Sequence, residues 1–498
     1  MDKLEREAPI MKKTFLTIVV IILLSVALTS CGNESSTDID DIDDIDSENE
    51  TYSEGLMFTS NGDGTCSLSG IGSCNSTNIV IPPTSPEGDK VTEISQAALD
   101  SSSIEGIVIP DSVTTIYPTV FYDCPSLKSI VFGNGITLIS SSAFSKCVQL
   151  TSVIIGNGVT NIESRAFKGC SSLESVVMGN NVTSIGEHAF NGCSSLQSIT
   201  IPDSVKSIES NAFEGCSSLE SVVMGNNVTS IGIYTFKGCS SLQSITIPDS
   251  VKSIETGTFK KCESLKTVLL GDNVESIEES AFNSCESLAS ISIPDNTSFI
   301  DSTAFLGCSA LTSIEVGKNN TVYKDIDGDL YTKNNKTLLI YAIGKTDTTF
   351  IIPRGVTEIG EYAFTSAKHL NNIEISYGVT SIGMLSFQNC TNLKEIVIPD
   401  SVTQISPQAF INCTSLERVE IGDNVTSIKF STFENCTSLT TVVMTYNMKY
   451  IASDAFKNCT KIKDVYYPLS EYAWNNIVIN YGNHCLTRAT IHYNYINR

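Results

Sequence analysis

Cysteine is the residue whose number and spacing first suggest chemistry in this chain. The 498 residues contain 17 cysteines, and 13 of them stand at one repeated position, three residues after a phenylalanine. Cysteine thiolates can bind a metal ion or act as nucleophiles. No CxxC pair and no Cys/His spacing accompanies this column of cysteines, so the pattern favours buried free thiols over a metal site.

The other reactive residue types are scattered along the chain. His188, His369, His484 and His492 fall at unrelated positions, and phosphate-binding glycine loops, HExxH and GxSxG motifs are missing from the sequence. An enzyme requires a convergent set of polar groups held against a pocket. The sequence therefore predicts a protein that is not an enzyme and that uses neither a cofactor nor a metal.

The elements that position the cysteines form an internal repeat. Phenylalanine recurs every 23 residues from Phe121 to Phe305 and again from Phe364 to Phe456, and cysteine follows it in each copy except at Ala367. A fixed period of this length indicates a solenoid. Because one coil cannot cover its own apolar face, successive coils must stack on one another.

A single repeat predicts the structure of each coil. Ile199 and Ile201 alternate with polar residues, which is typical of a short strand, and Pro202 ends that strand. Apolar residues spaced by three around Phe213 predict a helical or 3₁₀ turn on the opposite side. Stacked coils would then place their strands about 4.8 Å apart in a parallel sheet.

The pattern L-x-x-I-x-I-P-x-x-V-x-x-I-x-x-x-A-F-x-x-C-x-x-L, present in 196–219, resembles the BspA-type (Treponema-type) leucine-rich repeats of bacterial surface proteins. The resemblance extends over about 91–463. It implies an α/β solenoid of 23-residue coils, with a parallel β-sheet on one face and short helical or 3₁₀ turns on the other. It also implies an N-terminal β-hairpin cap at 55–90, a hairpin insertion at about 318–350 and a C-terminal cap at 464–498.

The first 30 residues predict export. Lys12 and Lys13 precede the apolar run 15–27, which is typical of a signal peptide, and Met11 is a candidate for the true start. Leu28-Thr-Ser-Cys31 resembles the lipobox of bacterial lipoproteins, which implies lipidation of Cys31 and a lipid anchor in the bacterial cell envelope or surface. An ordinary cleavable signal peptide is the alternative. Residues 31–54 are strongly acidic and are expected to form a disordered tether.

The sequence leaves more than one interpretation open for three cysteines outside the repeat and for the acidic residues of the inserted hairpin. Cys66 and Cys74, eight residues apart in the N-terminal hairpin, are candidate partners in a disulfide, and Cys485 is left unexplained. The acidic residues at 325, 327 and 329 could suggest calcium, but the EF-hand frame of a later glycine and glutamate is absent, so turns are the preferred interpretation.

The strand residues that do not face the core are expected to project outward and to align into rows across the sheet. In two neighbouring blocks, residues 171–216 and 217–262, all nine differences lie around the phenylalanines and none in the strands. The candidate partner-binding strip consists of Glu174, Ser175, Val177, Gln197, Ser198, Thr200, Glu220, Ser221, Val223, Gln243, Ser244 and Thr246.

Composition limits the class of partner. Lys and Arg total 31 against 55 Asp and Glu, so the net charge of −24 makes nucleic acid a poor candidate. The family resemblance implies adhesion to host matrix proteins or to other cells, with extracellular proteins as partners. The alternatives are a passive spacer and a module that binds carbohydrate or envelope polymers. The aromatic platforms of such a module would come from Tyr323, Tyr331, Tyr341, Tyr466, Tyr467 and Trp474.

Overall fold

The computed structural model describes residues 52–96, 98–99 and 103–495. The predicted signal peptide, Cys31 and residues 31–51 of the predicted tether lie outside these residues. None of the helices in the described ranges has the length and apolar character that a membrane crossing requires.

Each coil begins with a strand of three or four residues, and these strands form the front sheet of the solenoid. Most neighbouring front strands pair in parallel with residues 23 apart in register, as in Ser198 with Ser221, and the ladder is broken between 175–177 and 198–200 and between 267–269 and 290–293. The front strands are Asn78–Val80, Gly106–Ile109, Ser129–Phe132, Ser152–Ile154, Ser175–Val177, Ser198–Thr200, Ser221–Val223, Ser244–Thr246, Thr267–Leu269, Ser290–Ile293, Ser313–Val316, Thr349–Ile351, Asn372–Glu374, Glu395–Ile398, Arg418–Ile421, Thr441–Val443, Asp464–Tyr466 and Thr490–His492.

A second strand in each coil contributes to the side sheet, which also runs parallel from coil to coil. Most of these strands have two residues, because the chain turns again directly after the buried isoleucine. The side strands are Lys90–Ile94, Thr115–Ile116, Leu138–Ile139, Asn161–Ile162, Ser184–Ile185, Ser207–Ile208, Ser230–Ile231, Ser253–Ile254, Ser276–Ile277, Phe299–Ile300, Thr337–Ile340, Glu358–Ile359, Ser381–Ile382, Gln404–Ile405, Ser427–Ile428, Tyr450–Ile451 and Val478–Ile479.

The return side of each coil carries the phenylalanine and consists of hydrogen-bonded turns. The N–H groups of Arg165, Phe167 and Gly169 donate to carbonyls of the next coil at 2.7–2.8 Å, whereas Lys168 and Cys170 donate to the residue three positions earlier. Arg165 and Gly169 have φ values of +60° and +74°, and such left-handed residues turn alternate N–H groups toward the neighbouring coil. Consecutive 3₁₀ bonds are interrupted as a result, and in the described coils the predicted short helices are single turns.

The core is a set of aligned columns. The rings of Phe190 and Phe213 lie 5.3 Å apart with 3° between their planes, and the same stacking recurs along the array. The thiol of Cys193 is fully buried and donates to the carbonyl oxygen of Phe167 in the preceding coil at 3.3 Å. The predicted solenoid is therefore confirmed, and so is its column of buried thiols from Cys147 to Cys459.

Two antiparallel hairpins and a small cap complete the fold. Met57–Ser60 pairs with Thr65–Gly70 at the N-terminal end of the array, with the turn at 61–64. Tyr323–Ile326 pairs with Asp329–Thr332, which also pairs antiparallel with the side strand that begins at residue 337. At the C-terminal end, two four-residue helices, Glu471–Trp474 and His484–Thr487, lie between the last strands. We call residues 106–316 the N-terminal array and residues 337–492 the C-terminal array.

Candidate interaction surface

The outward side chains of the front sheet form the most regular exposed surface of the described residues. In the strand Ser198–Thr200, Ile199 is buried while Ser198 and Thr200 are exposed, because successive side chains of a strand point to opposite faces. The parallel register then aligns equivalent residues of neighbouring coils into rows. One row contains only serine and threonine from residue 175 to residue 290.

The structure brings the predicted strip together on this face. Ten of its twelve residues are exposed, and Ser175 and Val177 are half-buried. Val223 is 60% exposed, and it lies in the same row as Leu269, which is 64% exposed and was not among the predicted residues. Counting forward by 46 residues from Val223 would have identified Leu269 from the sequence alone. The strip therefore consists mainly of uncharged hydroxyl, amide and aliphatic groups, with two exposed glutamates, Glu174 and Glu220.

The same face is charged in the C-terminal array. Arg418 Nε lies 3.0 Å from Glu395 Oε1, and its terminal nitrogen lies 2.9 Å from Glu420 Oε2. These contacts arise because Glu395 and Arg418 are paired in register on adjacent strands. Sequence analysis missed them, although the 23-residue spacing between Glu395 and Arg418 was the available signal.

The aromatic residues predicted as glycan platforms are mostly part of the core. Tyr466 is the exception, because it is half-buried on the front face and its ring stacks on His492 at a centroid distance of 4.6 Å. Asp464 holds His492 through a 2.8 Å contact between Oδ1 and Nε2. The buried members of the predicted set are Tyr323, Tyr331, Tyr341, Tyr467 and Trp474. The structure thus gives little support to an extended aromatic platform.

Burial shifts the pKa values of a core thiol and of one histidine. Burial raises the pKa of Cys216 to about 12, so this thiol stays protonated and is a poor nucleophile at neutral pH. Burial lowers the pKa of His188. In the described residues, no group of three His, Cys, Asp or Glu side chains is placed to hold a metal ion.

The acidic residues of the inserted hairpin have structural contacts. Asp329 is buried, and its Oδ1 accepts hydrogen bonds from Lys345 Nζ at 2.6 Å and from Ala342 N at 2.9 Å. Asp325 Oδ1 accepts from the backbone N–H of Val316 at 3.1 Å. These contacts agree with the preferred interpretation of these residues as turn and strand residues.

The structure does not form the candidate disulfide between Cys66 and Cys74. Both thiols are free: Cys66 is buried on the inner face of its strand, and its Sγ lies 3.6 Å from the carbonyl oxygen of Asp89. Cys74 lies beyond the strand, in a turn closed by a bond from its N–H to the Ile71 carbonyl. In this structure the thiol of Cys66 is directed to the core, and the disulfide stays a prediction.

Comparison with known proteins identifies the family. The sequence matches the family described as "BspA type Leucine rich repeat region", with six copies, over 92–220, 206–332 and 345–477. The chain belongs to this family. BspA-type repeats account for the Phe, Cys and Leu columns and for the parallel front sheet described above. No curated protein sequence matches the chain.

One solved structure shows the same fold. A leucine-rich repeat protein from Bacteroides ovatus is 23% identical, with a TM-score of 0.57 over 89% of this chain and 100% of that chain, which shows the leucine-rich repeat solenoid fold. A leucine-rich repeat protein from Eubacterium ventriosum is 26% identical, with a TM-score of 0.47 over 66% and 85%. A leucine rich cell surface protein from Faecalibacterium prausnitzii is also 26% identical, with a TM-score of 0.43 over 91% and 96%.

Proposed function

We propose that this protein is a non-enzymatic interaction protein of the bacterial cell surface that binds large protein partners through its front face. The observation that carries the proposal is the row-by-row alignment of exposed, mostly uncharged side chains across neighbouring coils. Export and a lipid anchor at Cys31 are part of the same proposal, and they are supported by the lipobox resemblance. Adhesion to host matrix or to other cells is the role that such a surface would serve.

The dimensions of the front face favour a macromolecular partner. Its 18 strands, at about 4.8 Å each, give a surface roughly 85 Å long and about 10 Å wide. The resulting area of roughly 850 Å² is close to the ~800 Å² that each partner contributes to a stable protein complex. A small ligand would use only a fraction of this surface, and no enclosed pocket of ligand size accompanies it in the described residues.

The test is a binding measurement with the purified chain against matrix proteins and purified polysaccharides, at low and high salt. Val223→Glu and Leu269→Glu place charges in the neutral row, and we expect them to weaken binding to a protein partner at least tenfold. Ile233→Glu is the matched control, because Ile233 is 41% exposed but belongs to a return turn. Equal binding by all variants, or binding to polysaccharides alone, would contradict the proposal.

A further inference from the structure

The aromatic column of the core is discontinuous at one place. Rings of successive coils stack from Phe121 to Phe305 and again from Tyr341 to Phe456, where Tyr341 occupies the phenylalanine position. Between Phe305 and Tyr341 lies a cavity of about 20 Å³, which is room for one water molecule. The hydroxyl of Tyr341 is buried and has no hydrogen-bond partner. Stacking energy is therefore lost at this point of the column.

The front sheet is interrupted at the same place. The last front strand of the N-terminal array, Ser313–Val316, contacts the turn of the inserted hairpin instead of a following front strand. The N–H of Ile314 donates to the carbonyl of Gly328 at 2.8 Å, and the N–H of Val316 donates to the side chain of Asp325. A turn and one carboxylate thus replace a full ladder of backbone bonds.

The side sheet is interrupted as well. Beside its strand Phe299–Ile300, the side chain of Tyr323 occupies the place of the next side strand. The Tyr323 hydroxyl accepts a 3.0 Å hydrogen bond from the N–H of Ile300. The same hydroxyl lies 3.4 Å from the carbonyl oxygen of Ser298. One phenol therefore provides the contacts that backbone groups provide elsewhere between coils.

The inserted hairpin is joined to the C-terminal array by regular pairing. Its strand Asp329–Thr332 pairs with the side strand Thr337–Ile340, which pairs in parallel with Glu358–Ile359. On the return side, Tyr341 N–H donates to the carbonyl of Ala363 at 2.8 Å, as in an ordinary coil. The hairpin stands at the start of the C-terminal array as the hairpin 57–70 stands at the start of the N-terminal array.

The buried apolar residues form two clusters that meet at the inserted hairpin. One cluster extends from Leu56 through the N-terminal array and also includes Tyr323, Leu330 and Ala342, and a second begins at Tyr331 and extends to Leu486. In a solenoid each coil contacts only its neighbours, so stability is a sum of coil and interface contributions. An interface that lacks the ring stack and both backbone ladders is the weakest of the series.

We propose that residues 323–495 form a second folding unit with its own hairpin cap, and that the solenoid opens first at the interface between Phe305 and Tyr341. The two units are held together by few bonds, among them the 2.7 Å bond from Gly344 N–H to the carbonyl of Leu311. The front face is thus built on two units that unfold separately and can change their relative orientation.

The test is urea unfolding of the full chain, followed by hydrogen exchange with mass spectrometry. Phe213→Leu and Phe410→Leu are matched variants, because both rings are fully buried in the middle of their arrays. We expect two transitions, with each variant lowering the midpoint of one transition by about 1 M urea and leaving the other unchanged. Peptides of the two arrays should lose protection in different transitions.

A variant at the interface between the two units provides a second measurement, amide exchange at Ile300, that does not depend on a core substitution. Tyr323→Phe removes the hydroxyl that binds Ile300, and we expect at least tenfold faster exchange of the Ile300 amide with no change at Ile208, an equivalent position within the N-terminal array. A single cooperative transition that both phenylalanine variants shift together would overturn the proposal. So would unchanged exchange at Ile300 in the Tyr323→Phe variant.

Discussion

The two arrays use different residues for the same left-handed backbone position, two residues after the phenylalanine. In the N-terminal array this position is often glycine, as at Gly192 and Gly215, where φ is +74° and +76°. In the C-terminal array it is asparagine, as at Asn412 and Asn435, with φ of +62° at both. The asparagine side chains bond to one another, with Nδ2 of Asn435 2.7 Å from Oδ1 of Asn412. The backbone requirement is therefore constant, while the side chains that satisfy it are interchangeable.

The arrays also differ in their cores and on their front faces. The repeated cysteine occurs nine times from Cys124 to Cys308 but only four times from Cys390 to Cys459. The front face is mostly uncharged around Ser221, where Glu220 is the charged neighbour, and carries two ion pairs at Arg418. Each of these differences predicts an unequal response of the two arrays to one change of conditions or sequence.

The largest expected effect is an unequal sensitivity to alkaline pH. The pKa is raised for seven thiols in the N-terminal array, six of them chiefly by burial, and for three in the C-terminal array, Cys390, Cys436 and Cys485. A group whose folded pKa is raised stabilises the fold below its unfolded pKa and loses that contribution as pH rises toward the folded value. Each thiol then costs up to about 1.4 kcal/mol per pH unit above pH 9. We expect urea midpoints at pH 8 and 10 to fall further for the N-terminal array.

The control for the alkaline prediction is Cys216→Ala, which removes one buried thiol with a pKa of about 12. This variant should lose less stability between pH 8 and pH 10 than the unchanged chain does. Equal pH dependence of the two arrays would show that the thiols are not the cause.

The next largest effect is expected at the buried leucine that closes each coil, a feature that both arrays share. Leu219 and Leu416 are both fully buried at the position that closes a coil. We expect Leu219→Ala and Leu416→Ala each to reduce the free energy of unfolding by about 2–5 kcal/mol, because a cavity remains where the side chain was. Thermal or urea unfolding measures the loss. A cost several-fold larger in one array would mean that the cores are not equivalent.

Smaller losses of stability are expected at the left-handed position two residues after the phenylalanine. Gly215→Ala should cost about 1–2 kcal/mol, because alanine resists a φ of +76° although its Cβ would make only ordinary van der Waals contact with the backbone of Gly192. Gly215→Asn should cost less, since asparagine tolerates this conformation. The matched change, Asn412→Gly, should cost about 1 kcal/mol through loss of its amide bonds. If alanine and asparagine were equally costly at position 215, conformation would not be the reason for the column.

The sequence predicted the solenoid because its main determinants recur at a fixed spacing. Ile199 and Phe213 reveal the strand and the return turn, and the outward rows follow from the same register. The left-handed positions were not predicted, because residues as different as Arg165 and Tyr234 occupy them and the requirement comes from bonds between coils. Cys66 and Cys74 could only be named as candidate disulfide partners, because spacing alone does not give the direction of a side chain.

The smallest expected effect concerns the charged part of the front face. Arg418→Gln removes two ion pairs whose members are partly exposed, so we expect a loss of only about 0.5 kcal/mol at low salt and none at high salt. Urea unfolding at both salt concentrations checks this value. Because the charges add so little stability, an effect of the same variant on partner binding would come from the surface and not from unfolding. Binding that is unaffected by Arg418→Gln but lost with Val223→Glu would assign recognition to the candidate partner-binding strip of the N-terminal array.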